Sequence, residues 1–320
     1  MSRPFEGLLR HIVLFYLITL LIPLSLLSSP PIVLGDTYSE SSRTDLTGIN
    51  VGVYNGTSAL PHSAIALKNM FDWMNATTIY VDADGIRNAA LESCDILVYP
   101  GGSTLGYSYE LEEEGRELVK DFVATGGSYF GICGGSLFGT NAGLGLFNGS
   151  YSGAVSGTGS YLMDLTVNRS STGPDLSGEP ENYTTLYWGS SYFYGAGMAD
   201  AIPIMTYQTN REAAMIVCRY ELGAVFLSSP HPEYEEGDAR DGTSIFDDLN
   251  DPDSEWGLLL KVSIWLVEVA GTELPGTTTT TTTDGSPSIP TDSEISEFPF
   301  IIAALSICIV AIVVVLLRRR

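Results

Sequence analysis

The chain has 320 residues, 44% of them hydrophobic, and 38 acidic side chains against 15 basic ones give a formal net charge of −23. A body so negative repels nucleic acid and anionic lipid headgroups, so neither is expected as its partner. Four cysteines are too few for a disulfide scaffold, and any folded domain here must rest on an ordinary apolar core.

In chain order, residues 1–35 read as a signal peptide. Arg3 and Arg10 give a positive start, Ile12 to Leu27 an apolar stretch, and Ser28, Ser29, Pro30, Pro31 and Gly35 a small-residue exit. An uncleaved anchor is the alternative. Ile49 to Tyr54 is then a short apolar strand, and a helical pattern runs from Leu60 to Met74. Thr78–Val81 reads as a strand, Asp84–Leu91 as a short helix, and Ile96–Tyr99 as a third strand ending in Pro100-Gly101-Gly102. Apolar positions predict a helix over Tyr109–Ala124, stopped by Gly126-Gly127. Ser128–Ile132 is the fourth strand. Residues 143–210, rich in Gly, Ser, Tyr and Thr, show no helical period and read as an irregular β excursion beside the ligand crevice. Ala213–Tyr220 and Gly223–Leu227 form an antiparallel pair, and Trp256–Val269 a closing helix.

The alternation with short connections predicts an α/β, flavodoxin-like fold: a mostly parallel sheet with helices on both faces, plus the β-rich excursion and a C-terminal transmembrane helix. The domain occupies residues 45–271. A Thr/Ser/Pro-rich stalk spans 272–297, with seven consecutive threonines from Thr277 to Thr283. Residues 298–317 carry no charge and match the hydrocarbon thickness of a bilayer, and Arg318, Arg319 and Arg320 form a cytoplasmic tail. The chain is therefore expected at the cell membrane, single-pass, with its domain outside. Sequons at Asn55, Asn75, Asn148, Asn168 and Asn182 agree with a glycosylated exported protein.

The chemistry centres on Cys133. Ser128-Tyr-Phe-Gly-Ile-Cys-Gly-Gly-Ser is a short apolar run ending in Gly-x-Cys-x-Gly, which suggests a strand turning sharply into a helix with the thiol at the bend. Ser229-Pro-His-Pro-Glu supplies a base, His231, and an orienting carboxylate, Glu233. In a parallel sheet ligands bind at the carboxyl ends of strands, so Gly101-Gly102 and Cys133 should face one crevice. Gly101, Tyr107, Tyr187 and Trp188 are weaker candidates for its walls, ordinary packing being the plainer reading of the aromatics. The acidic stretch Asp247–Glu255 invites a calcium site but lacks the spacing of one, and reads instead as a solvated loop capping the next helix. No metal and no cofactor is expected. Cys94 and Cys218 either bridge or stay as buried thiols, and His62 reads as a surface residue.

These motifs together resemble the class I glutamine amidotransferase superfamily and, within it, the biotin-protein ligase N-terminal domain family. The carriers are Tyr99-Pro-Gly-Gly with Tyr107, Gly126-Gly127, Tyr129-Phe-Gly-Ile-Cys-Gly-Gly-Ser-Leu-Phe and Ser228-Ser-Pro-His-Pro-Glu. The resemblance implies Cys133 as nucleophile, His231 as base, Glu233 as its orienting group, and an oxyanion hole of N–H groups near Gly102 and Gly134. It does not imply biotin ligation, because the ligase's catalytic domain has no counterpart in these residues. Leu137 stands where glutaminases of the superfamily carry a glutamine, which argues against free glutamine as substrate. The expected activity is cysteine-dependent hydrolysis of an amide or peptide bond in a small-molecule or peptide substrate. A redox role for a reactive thiol is a further, weaker option. A catalytically inactive cell-surface binding module on the same scaffold is the alternative.

Overall fold

The computed structural model describes residues 43–235, 239–251 and 253–273. The expected signal peptide, nearly all of the stalk, the apolar run 298–317 and the tail lie outside these residues. Among the described residues no helix is long and apolar enough to cross a membrane.

Strands β1 (Asn50–Tyr54), β2 (Thr77–Val81), β3 (Ile96–Tyr99) and β4 (Ser128–Ile132) alternate with helices α1 (Pro61–Trp73), α2 (Ala83–Arg87) and α3 (Thr104–Ala124). A short helix, α4 (Gly134–Phe138), follows Cys133 directly. Strands β5 (Ser150–Tyr151), β6 (Ser160–Val167), β7 (Asn182–Trp188), β8 (Phe193–Tyr194) and β9 (Ile202–Tyr207) come next. Strands β10 (Ala213–Tyr220) and β11 (Gly223–Ser228) and helix α5 (Trp256–Val269) complete the domain.

All these strands belong to one mixed sheet, whose main path runs β2-β1-β3-β4-β11-β10-β9-β6-β7. The first five strands of that path are mutually parallel. With β11 in fifth place their order is the 2-1-3-4-5 of a doubly wound sheet. β3, β4 and β11 are buried along their whole length, the continuous apolar pattern of strands covered on both faces. Alternate residues feed two cores. Val51, Val98, Phe130 and Phe226 join α1 and α5 on one face, while Leu97, Tyr99, Tyr129 and Val225 join α2, α3 and α4 on the other.

Three features differ from expectation. The segment expected as an irregular β excursion is regular in part: β6 pairs antiparallel with β7 and with β9 in continuous register and widens the same sheet, whereas β9 meets β10 through register shifts. β6 does alternate, with Met163, Leu165 and Val167 buried and Leu162, Asp164 and Thr166 not, a two-residue period that a search for helical spacing passes over. Helix α3 begins five residues before the expected Tyr109, at an N-cap where the Ser103 hydroxyl accepts from Gly106 N–H, and it breaks at Glu112, whose φ is +57°. The helix expected over Asp84–Leu91 stops at Arg87 and resumes as a 3-10 turn, Ala90–Ser93, because Ala89 takes φ +64°. Cys94 and Cys218 carry free thiols, so no bridge joins them.

Candidate active site

The parallel pairing of β4 with β11 builds the site. Ile132 stands opposite Ser228 in register, and Cys133 N–H donates to Ser228 O at 2.8 Å. Cys133 is thus the first residue past one strand and His231 the third residue past its neighbour, so both emerge at the same carboxyl edge. Leu186 on β7 accepts the His231 N–H at 2.9 Å, so the antiparallel half of the sheet fixes the imidazole's backbone. Glu233 lies two residues on.

Cys133 adopts φ +48°, ψ −117° and caps α4. That backbone region is costly for a residue with a Cβ. The turn closes only because its neighbours lack side chains. A Cβ on Gly134 would fall 1.9 Å from Gly102 O, and one on Gly135 would fall 2.2 Å from Tyr99 O. Gly134 opens the helix, where an N–H has no intrahelical acceptor. Among the described residues neither Gly102 N–H nor Gly134 N–H donates to a protein acceptor. Both donors therefore stay available beside the thiol.

His231 and Glu233 are completely buried, and His231 Nδ1 donates to Glu233 Oε1 at 2.9 Å. With that nitrogen committed, Nε2 is the position left to exchange a proton with the thiol. Burial alone lowers the imidazole's pKa. The charges of Cys133 and Glu233, with the hydrogen bond to Glu233, outweigh it and raise the pKa well above its ordinary value. Nε2 is buried and has no hydrogen-bond partner among the described residues, although the charge of Cys133 acts on the ring. Catalytic contacts of this kind commonly tighten only around substrate.

An open cleft of about 690 Å³ leads to Cys133, walled by Thr57, Ser58, Leu60, Gly102, Ser103 and Trp188. The Trp188 ring centroid lies 5.5 Å from that of His231. The other expected wall residues sit behind the cleft. Gly101 is buried against the imidazole, where a Cβ would fall 2.9 Å from His231 Cε1. The Tyr107 hydroxyl donates to Pro100 O at 2.9 Å and to Gly101 O at 3.1 Å, so this side chain braces the glycine loop from below. Tyr187 is buried, bonding Ser156 N–H and Gly157 O. A second cavity, of about 670 Å³, opens near Ile49, Asp95 and Gly127, at the amino ends of the strands, and contains none of these groups.

Two residues escaped the sequence reading. Ser63, on α1, donates from its buried hydroxyl to Glu233 Oε1 at 2.7 Å and accepts from Gly101 N–H at 2.9 Å. A lone serine near a helix start carries no sequence signal of such a role. His62, expected at the surface without a partner, is half-buried: it shares a hydrogen bond with the Tyr234 hydroxyl and stacks 6.1 Å from Trp188. Burial lowers its pKa, with the nearby His231 adding to the effect and Glu233 opposing it.

Asp251, Asp253 and Glu255 bring one carboxylate oxygen each within 4.8 Å of the others. The stretch is not wholly the solvated loop expected, because Glu255 is buried and accepts from the Thr185 hydroxyl. Asp253 takes the Thr184 N–H at 3.1 Å and Asp251 takes the Asp253 N–H at 3.1 Å, so these acids already serve to fasten the loop. Of the five sequon asparagines, Asn55, Asn75, Asn148 and Asn182 are exposed. Asn168 is half-buried, and its Nδ2, the atom a glycan would join, donates to Pro203 O at 2.8 Å.

The glycine loop and the cysteine elbow both lie within the segment that the family comparison matches. Residues 49–144 match the family "Biotin-protein ligase, N terminal". The likeness read from the motifs is thereby shown for that segment, which contains Gly102, Cys133 and Gly134 and ends before His231. A biotin–protein ligase of Schizosaccharomyces pombe is 24% identical over 255 residues, covering 71% of this chain and 38% of the ligase. The chain thus spans well under half the length of that relative. Among solved structures, a protein described as thua-like from Bacteroides uniformis aligns at a TM-score of 0.50 and 10% identity, over 71% of this chain and 95% of its own. It shares the fold. A glutamine amidotransferase from Thermotoga maritima aligns at 0.45 and 13% identity, over 68% of this chain and 90% of its own.

Proposed function

We propose that the protein is a cysteine-dependent hydrolase of an amide or peptide bond. Cys133 acts as nucleophile, His231 as general base and acid, Glu233 as its orienting carboxylate, and the Gly102 and Gly134 N–H groups as the oxyanion hole. The observation that carries this reading is the buried His231–Glu233 hydrogen bond of 2.9 Å beside the strained Cys133 turn. An imidazole oriented at one nitrogen can accept the thiol proton at the other.

In the first half-reaction sulfur bonds to the carbonyl carbon, and the carbonyl π electrons move to oxygen, where the two N–H groups stabilise the charge. Collapse breaks the C–N bond, and the leaving amine takes its proton from His231 Nε2. Water then attacks the thioester, gives a proton to Nε2, and releases the acid and the free thiol. Addition of hydroxylamine during turnover should divert this thioester to a hydroxamate. The reading fails if no amide or peptide in a broad panel is consumed faster by the wild type than by Cys133→Ala.

We further infer that the domain faces outward from a single-pass membrane anchor at residues 298–317, behind a stalk at 272–297, after export directed by residues 1–35. The charge-free apolar run, the arginine tail and the five sequons support this reading. A second reading, a surface binding module without turnover, is favoured by Leu137 at the position where glutaminases of the superfamily carry glutamine. It is distinguished by ligand capture in a Cys133→Ala variant with no product from the wild type.

A further inference from the structure

The Ser63 hydroxyl is a junction between two parts of the site that come from different strands. It is fully buried. Because a backbone N–H can only donate, the bond from Gly101 N–H takes up a lone pair of the hydroxyl and leaves its single proton for Glu233 Oε1. That same carboxylate oxygen accepts His231 Nδ1–H. Leu60 N–H, one turn earlier, donates to Gly101 O at 2.8 Å, so the start of α1 clasps the glycine loop on both sides of one residue. Gly101 has no room for a side chain between His231 Cε1 and Ser63 Oγ, which a Cβ would approach to 2.9 and 3.4 Å.

We propose that Ser63 is a positioning residue: its one hydroxyl couples the carboxylate that orients His231 to the loop that presents the Gly102 N–H, holding base and oxyanion donor in a common register. The proposal rests on the Cys133–His231–Glu233 reading above. A buried serine that only fills space between α1 and the sheet is the competing account, and the two separate in a double-mutant cycle.

The test follows the second-order rate of Cys133 alkylation by iodoacetamide at neutral pH in the full chain, mapped by mass spectrometry, for wild type, Ser63→Ala, Glu233→Gln and the double variant. A hydrogen bond to a charged group is worth enough for Ser63→Ala to slow alkylation by about 10- to 100-fold. The double variant should then be no slower than Glu233→Gln alone. Ser63→Thr and Ser63→Val are nearly equal in volume and differ in the hydroxyl, so Thr should keep most of the rate and Val lose it, even if alanine at this position fails to fold. Alkylation of Ser63→Ala at the wild-type rate, equal rates for Thr and Val, or losses that multiply in the double variant would each overturn the proposal. The control is His231→Gln. If it alkylates like the wild type, the underlying site reading falls and the Ser63 proposal with it; if it is slow while Ser63→Ala is not, only Ser63 is at fault.

Discussion

At the scale of single residues, Cys133 holds a backbone conformation that an L side chain resists, with φ +48°. Strain of this kind costs on the order of 1–3 kcal/mol and persists where the surroundings enforce it. Cys133→Gly is therefore expected to be more stable than Cys133→Ala by about 1 kcal/mol, read as a higher midpoint in urea, while both lose all turnover. The imidazole makes a second prediction. Its folded-state pKa is raised, chiefly by Cys133 and Glu233 against the opposing effect of burial. A raised pKa means that the native state holds the proton more tightly than the unfolded chain, so the stabilisation is complete below about 6.5, the ordinary histidine value, and is lost as pH climbs through the folded value. The difference in Tm between wild type and His231→Gln should accordingly shrink as pH rises from about 6.5 into the alkaline range. A difference that grows with pH would contradict the charged pair. Cys133 was legible at this scale because its glycine neighbours are a sequence pattern. Ser63 was not, since its importance lies in two partners, 38 and 170 residues away in the chain.

At the scale of elements, the site depends on two strand ends and one loop. The β4–β11 register brings Cys133 and His231 to the same edge, and the loop after β3 supplies Gly102. Tyr107 braces that loop through two carbonyls. Tyr107→Phe would leave both without this donor, and a loss of about 1–2 kcal/mol of stability is expected, with slower Cys133 chemistry as the loop loosens. Chemical denaturation of the variant checks the first, and alkylation kinetics check the second. The parallel strands could be read in advance because strands buried on both faces are short unbroken apolar runs, as in Ile96–Tyr99 and Ser128–Ile132. Of the antiparallel half, the β10–β11 pair was legible and the arrangement of β6, β7 and β9 was not. β6 and β7 lie among Gly- and Ser-rich loops and expose part of one face, so their short alternating runs do not announce which strand each pairs with. That half matters to the site all the same, because Leu186 O holds the His231 backbone.

At the scale of the whole molecule, the proposal joins a catalytic domain to export and anchoring. If the chain passes through a glycosylating secretory route, site mapping should find sugar at exposed positions such as Asn55 and Asn148 and little at Asn168, whose amide nitrogen is held by Pro203 O. Removing residues 298–320 should release the domain into the medium. Retention in the cytoplasm, or sugar predominantly at Asn168, would contradict that topology. The catalytic claim has a more direct test, because three described thiols differ in setting within one chain. Burial raises the pKa of Cys94 and pushes that of Cys218 up to about 12, whereas Cys133 alone sits beside the oriented imidazole. Brief iodoacetamide treatment at pH 7, followed by peptide mapping, should label Cys133 ahead of Cys94 and Cys218, and His231→Gln should abolish the preference. Labelling of Cys133 no faster than Cys94, or a preference that survives without His231, would contradict the account.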